Sequence, residues 1–131
     1  MTVTIDRYCT ASPHTVGQEQ SLEFALELMK KHRIHHLPVL HGGELVGTLS
    51  LRDIEFIAEL SHLDKAKIRV EDAMSDPVYT VAPGTPLLEV ALYMSEHHIG
   101  STVVTRGREI VGIFTTTDGL RALADALKAS A

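Results

Sequence analysis

The sequence predicts a mixed α/β (α+β) fold built from two copies of one small unit, and three observations lead there. Sliding the chain against itself by 65 positions, the separation of Asp53 and Asp118, aligns its halves without a gap. Each half alternates short apolar runs of strand length with longer runs of helical period. Trp is absent and aromatic residues make up 5% of the chain, so the core must be aliphatic.

The alignment keeps every type of signal in step. Thr15-Val16 falls on Thr80-Val81, Leu22 on Leu87, Met29 on Met94 and His32 on His97. Ile34 then meets Ile99, Val39 meets Val104, Gly42 meets Gly107, and Val46-Gly47 meets Val111-Gly112. Self-similarity at a fixed period marks a repeated supersecondary unit that cannot hide its apolar face alone. The expected bounds are residues 5–60 for the first repeat, 61–69 for a polar linker and 70–128 for the second repeat.

Each repeat opens with a polar, Pro-containing entry and a short extended piece ending at Thr-Val. A turn follows (17–20; 82–85), and then a helix. Over 21–31, Leu22, Ala25, Leu26, Leu28 and Met29 gather on one helical face. In the second copy Leu87, Leu88, Val90, Ala91, Leu92 and Met94 form a broader stripe, with Pro86 suited to the first helical turn. Strands at 37–40 and 102–105 lead through Gly-containing hairpin turns into partner strands at 45–49 and 110–115. A last helix closes each copy, over 51–60 and 116–128. Three strands and two helices per copy, packed about a pseudo-twofold axis, would bury both aliphatic faces and leave a cleft beside the interface.

Composition excludes several classes. The hydrophobic fraction of 44% and charged fraction of 22% are those of an ordinary globular chain. No stretch approaches the ~18 apolar residues of a membrane helix, and the opening residues do not read as a signal peptide. A net charge of −5 argues against nucleic acid as a partner. Cys9 alone rules out an internal disulfide and reads as a small hydrophobe in a reducing, cytoplasmic setting.

After the second hairpin strand both copies carry Gly, two further residues, Ser or Thr, two variable positions and Asp: Gly47 to Asp53 and Gly112 to Asp118. A hydroxyl followed three residues later by an acid is close to a capping box, and on this string alone capping is the favoured reading. The same geometry suits a ligand. A helix N-terminus attracts phosphate, a hydroxyl can donate to it, and a carboxylate can accept from both hydroxyls of a ribose.

The surroundings resemble the CBS-domain family, named after cystathionine beta-synthase, over nearly the whole chain. Met74-Ser75-Asp76-Pro77 with Thr80-Val81 is similar to its repeat opening, Ile34 to Val39 to its central strand entry, and the Gly-to-Asp string to its nucleotide signature. The resemblance implies tandem CBS repeats that bind AMP, ADP, ATP, NAD or S-adenosylmethionine. It implies ribose contacts from Asp53 and Asp118, and phosphate contacts from Ser50, Arg52, Thr115 and His35, with Arg121 as a further candidate. It implies an adenine pocket lined by Thr15, Pro38, Val39, Thr80, Ser101 and Val103. The copies depart from each other where Arg52 is matched by Thr117, so a clamp from that position is available once.

The histidines do not compose a metal site, since Ile34 to Pro38 reads as a helix end and His near a helix C-terminus is favoured without any metal. No nucleophile–base pair, phosphate loop or zinc-binding motif is visible, so the chain reads as a non-enzyme. The leading expectation is a ligand sensor that forms a homodimer, with an unidentified effector protein downstream. The alternative is a structural homodimerisation module with vestigial pockets.

Overall fold

The computed structural model describes residues 2–131; Met1, the first residue of the opening segment read above, lies outside them. The chain runs through a 3-10 turn (Ile5–Arg7), β1 (Thr10–Ala11), β2 (Val16–Gly17), α1 (Leu22–His32), β3 (His36–His41), β4 (Glu44–Ser50) and α2 (Leu51–Ser61). Two 3-10 turns (Lys65–Lys67, Val70–Asp72) lead to β5 (Thr80–Val81), α3 (Leu87–His97), β6 (Ser101–Arg106), β7 (Glu109–Thr115) and α4 (Thr116–Ser130). The α/β class holds, with two small sheets and four helices.

The compact units and the sequence repeats divide the chain differently. One is His14–Val78; the other joins the described residues up to Pro13 to Tyr79–Ala131. The opening segment, read as the start of the first repeat, packs with the second. Its β1 adds antiparallel to β7, giving that unit a four-stranded sheet, β1-β7-β6-β5, where three strands were expected. The other unit keeps three strands, β2-β3-β4, and receives Ser75 as a single bridge on Thr48.

The two additions are equivalent under the 65-residue offset, since Thr10 pairs with Ile113 as Ser75 pairs with Thr48. Ile5 and Val70, also equivalent, are both fully buried. Their N–H groups donate to the turn carbonyls of Thr85 and Gln20 at 2.9 and 2.8 Å. A segment whose apolar residue is buried and whose amides are paired belongs to the core it enters. Residues 61–69, read as linker, do more than connect, because Ile68 enters the aliphatic cluster of Leu22, Met29, Leu37, Leu49 and Ile54, as does Val70 just beyond them. Across the other unit the core is Ile5, Val90, Met94, Val104 and Phe114.

Local rules set the element ends. Ser21 caps α1 by accepting the Phe24 N–H at 3.1 Å. Arg33 and His98, again equivalent, end α1 and α3 in the left-handed region at φ of 55° and 54°, each N–H returning to a methionine carbonyl. The β3–β4 turn holds Gly42 and Gly43 at φ of 57° and 81°, values that a side chain disfavours.

Candidate ligand site at the helix entrances

Strand β4 delivers the chain directly into α2, which fixes Ser50 at the helix entrance. Ser50 Oγ accepts the Asp53 N–H at 3.0 Å, and Asp53 Oδ2 accepts the Ser50 N–H at 2.9 Å. The capping box foreseen in the sequence is therefore formed, worth about 1 kcal/mol as a cap. The Leu51 N–H donates to the His35 carbonyl at 2.9 Å, bringing the loop before β3 against the same entrance. Two of the helix-start amides are thus used within the protein, which weakens the case for a phosphate held by backbone alone.

What remains open is on side chains. Asp53 is half-buried, and its Oδ1 has no hydrogen-bond partner among the described residues. Arg52, which precedes it in the helix, and His35, whose carbonyl takes the Leu51 N–H, are both exposed. His36, opposite Ser50 in the β3–β4 register, is a residue the sequence reading left out of the site. Burial pushes its pKa down, His35 adds to that, and the Asp53 charge pulls it back up, so imidazole and carboxylate share one electrostatic neighbourhood. The signal was available, because Ser101, which was picked, is its equivalent.

At the α4 entrance the Thr115 N–H donates to Asp118 Oδ2 at 2.9 Å and the Thr115 hydroxyl to the same oxygen at 3.3 Å. The Thr116 N–H and hydroxyl both donate to the Gly100 carbonyl, at 3.2 Å each. Asp118 is only 5% exposed. Arg121, expected from sequence as a further phosphate candidate, donates Nη2 to Asp118 Oδ1 at 2.6 Å and to the Tyr8 carbonyl at 3.2 Å. Tyr8 is fastened to the same helix by its hydroxyl, which donates to Asp125 at 2.6 Å; this bond, foremost, raises the phenol pKa.

The expected adenine-lining residues divide. Thr15 is half-buried just before β2, and Thr80 is exposed on β5. Pro38, Val39 and Val103 are fully buried, so their side chains belong to the core. The Val103 N–H is already given to the Tyr79 carbonyl at 3.2 Å. Ser101 is 9% exposed, and its neighbour Thr102 is fully buried with an Oγ1 that has no hydrogen-bond partner. Cys9 is half-buried, and burial together with Asp6 and Asp118 raises its pKa, leaving a protonated thiol. His32 stacks on His14 with centroids 3.6 Å apart. Among the described residues no three His, Cys, Asp or Glu side chains converge as metal ligands.

Two small sheets, each joined by the opening segment of the other copy and each leading into a helix with an acid at its entrance, define a tandem α/β module. The chain belongs to the CBS domain family, whose model matches residues 5–56 and 70–125. It is 33% identical over 105 residues to an inosine-5'-monophosphate dehydrogenase of Korarchaeum cryptofilum, a match covering 79% of this chain and 21% of that protein. The chain thus spans about a fifth of that relative's length. Among solved structures it is similar to a protein from Vibrio cholerae described as an acetoin utilization protein (AcuB), with TM-score 0.88, 29% identity, and 99% and 98% of the two chains covered. It is also similar to the CBS domain pair of protein MJ0100 in complex with 5-methylthioadenosine and S-adenosyl-L-methionine, with TM-score 0.84, 28% identity, and 96% and 99% covered.

Proposed function

We propose that this CBS pair is a regulatory sensor that binds an adenosine-containing ligand (AMP, ADP, ATP, NAD or S-adenosylmethionine) at its helix entrances and performs no chemistry on it. The observation that carries the reading is the Asp53 carboxylate, with one oxygen fixed by the Ser50 N–H and the other unpartnered, Arg52 and His35 both being exposed. A carboxylate so oriented can accept from a ribose hydroxyl, while the Arg52 guanidinium and an N–H of the His35 ring are donors suited to a phosphate or an amino-acid carboxylate. The two ligands of the MJ0100 pair, both adenosine derivatives by name, support this class.

The output is a conformational or assembly change. A ligand biases such a change only if it contacts the two arrangements unequally. A homodimer is part of the proposal, supported by the apolar stripe of Leu88 and Leu92 on α3 with Leu120, Leu123 and Leu127 on α4, each more than half exposed. No helix among the described residues is long and apolar enough to cross a membrane. A cytoplasmic setting stays an inference from the single cysteine. The structural-module reading draws its support from the capping role that both acids serve.

Thermal unfolding with each of the five ligands separates the readings. A ligand present at 100 times its Kd adds about 2.7 kcal/mol of stability. No shift with any of them would leave the structural module as the better reading.

A further inference from the structure

The two acids, equivalent in sequence, are in different states. Asp53 keeps one oxygen without a partner, whereas Asp118 has Oδ2 engaged by Thr115 and Oδ1 by the Arg121 guanidinium. The first-copy residue equivalent to Arg121 is Phe56, a 62% exposed residue with neither a charge nor a hydrogen-bond donor to offer a carboxylate. The basic residue of the first entrance is instead Arg52, which is exposed and makes no ion pair with Asp53.

We propose that Arg121 is a specificity-determining residue that occupies the Asp118 carboxylate in place of a ligand, so that the Asp53 entrance fills first. The proposal rests on the nucleotide reading given above. A ribose hydroxyl and the guanidinium compete for the same Oδ1; both bonds would be charge-assisted, but only the guanidinium also brings the opposite charge to the carboxylate. The latch is displaceable, because the Arg121 side chain is 60% exposed and its charge can return to water. Displacement has a second consequence. The same Nη2 holds the Tyr8 carbonyl, so filling the Asp118 entrance removes one of the two bonds that fasten the opening segment to α4. Occupancy of the second entrance is thereby coupled to the segment that supplies β1.

The test combines two readouts on the full chain and on Arg121→Gln and Arg121→Met, the latter keeping most of the aliphatic stem. Carboxyl footprinting, read by mass spectrometry without any ligand, is expected to label Asp118 at least threefold faster in both variants, with Asp53 unchanged. Calorimetric titration with AMP and with S-adenosylmethionine is expected to show a second binding event strengthened tenfold or more in the variants, while the event lost in Asp53→Asn keeps its affinity. Unchanged labelling of Asp118 overturns the latch whether or not a ligand binds. A second event that weakens without Arg121 also overturns it, and makes Arg121 a ligand contact. Absence of any binding, with Asp118 labelling increased, removes the nucleotide reading and leaves the masking of Asp118 standing.

Discussion

A Cβ on Gly47 would sit 2.7 Å from the Ser75 carbonyl oxygen and 2.9 Å from the Met74 sulfur. Gly112 stands in the same relation to Cys9 and Thr10, with its Cβ 2.8 Å from the Cys9 sulfur and 3.0 Å from the Thr10 carbonyl oxygen. The glycine that opens the shared Gly-to-Asp string therefore serves the incoming segment, which passes too close for a side chain. Gly47→Ala is expected to destabilise by about 1–3 kcal/mol, the usual cost of forced overpacking. Gly112→Ala should cost less, because its closest obstacle is a side-chain sulfur and not a backbone oxygen. Urea unfolding of both variants measures the difference, and equal or reversed costs would contradict it.

Thr102 takes the place that Leu37 fills in the other copy, and both are fully buried. Leaving its hydroxyl without a partner carries a desolvation cost of about 1–3 kcal/mol. Thr102→Val keeps the shape and removes that hydroxyl, so the midpoint of urea unfolding is expected to rise with an unchanged slope. A fall would mean that the hydroxyl is paired in solution.

His36 has a folded-state pKa below its ordinary 6.5, chiefly through burial. The unfolded chain then binds the proton more tightly, and the sign follows from linkage. Stability from this group is fully present above pH 6.5 and is lost as the pH falls through that value toward the folded-state pKa. His36→Gln is expected to flatten the pH dependence of unfolding between about pH 7 and pH 5. A parallel curve for the variant would assign the dependence elsewhere.

The apolar stripe on α3 and α4 gives the proposed homodimer a direct check. Leu123 is 52% exposed and lines, with Val3, Leu88, Phe114 and Ala122, an apolar groove of about 580 Å³. Leu123→Glu places a charge there at little cost to a monomer, since surface substitutions usually stay within about 0.5 kcal/mol. Light scattering should show the mass falling toward one chain with the thermal midpoint preserved. An unchanged dimer would move the interface off this face.

Much of this was legible in the sequence because it is local. Helix period, the hairpin glycines and the hydroxyl-to-acid spacing each depend on neighbours along the chain, and the 65-residue offset doubled every signal. The exchange of opening segments was not legible. Ile5 and Val70 look alike in sequence, and nothing in either says which sheet its segment will join. The Asp118–Arg121 pair was half visible, since the three-residue spacing puts both on one helical face, but only the structure shows the guanidinium turned onto the acid. Val39 and Val103 came to the adenine pocket through the resemblance, as backbone on the central strands, and the burial of their side chains leaves that role to the backbone.

The most direct measurement is calorimetric affinity, for the first ligand found to stabilise the chain, with Asp53→Asn beside the unaltered protein. The amide oxygen of Asn can still accept the Ser50 N–H, so the cap survives while the charged acceptor is lost. Losing a charge-assisted hydrogen bond costs about 1.5–3 kcal/mol, so affinity at that entrance is expected to drop by roughly 10- to 100-fold. Undiminished binding by a folded Asp53→Asn would contradict a sugar held at the start of α2.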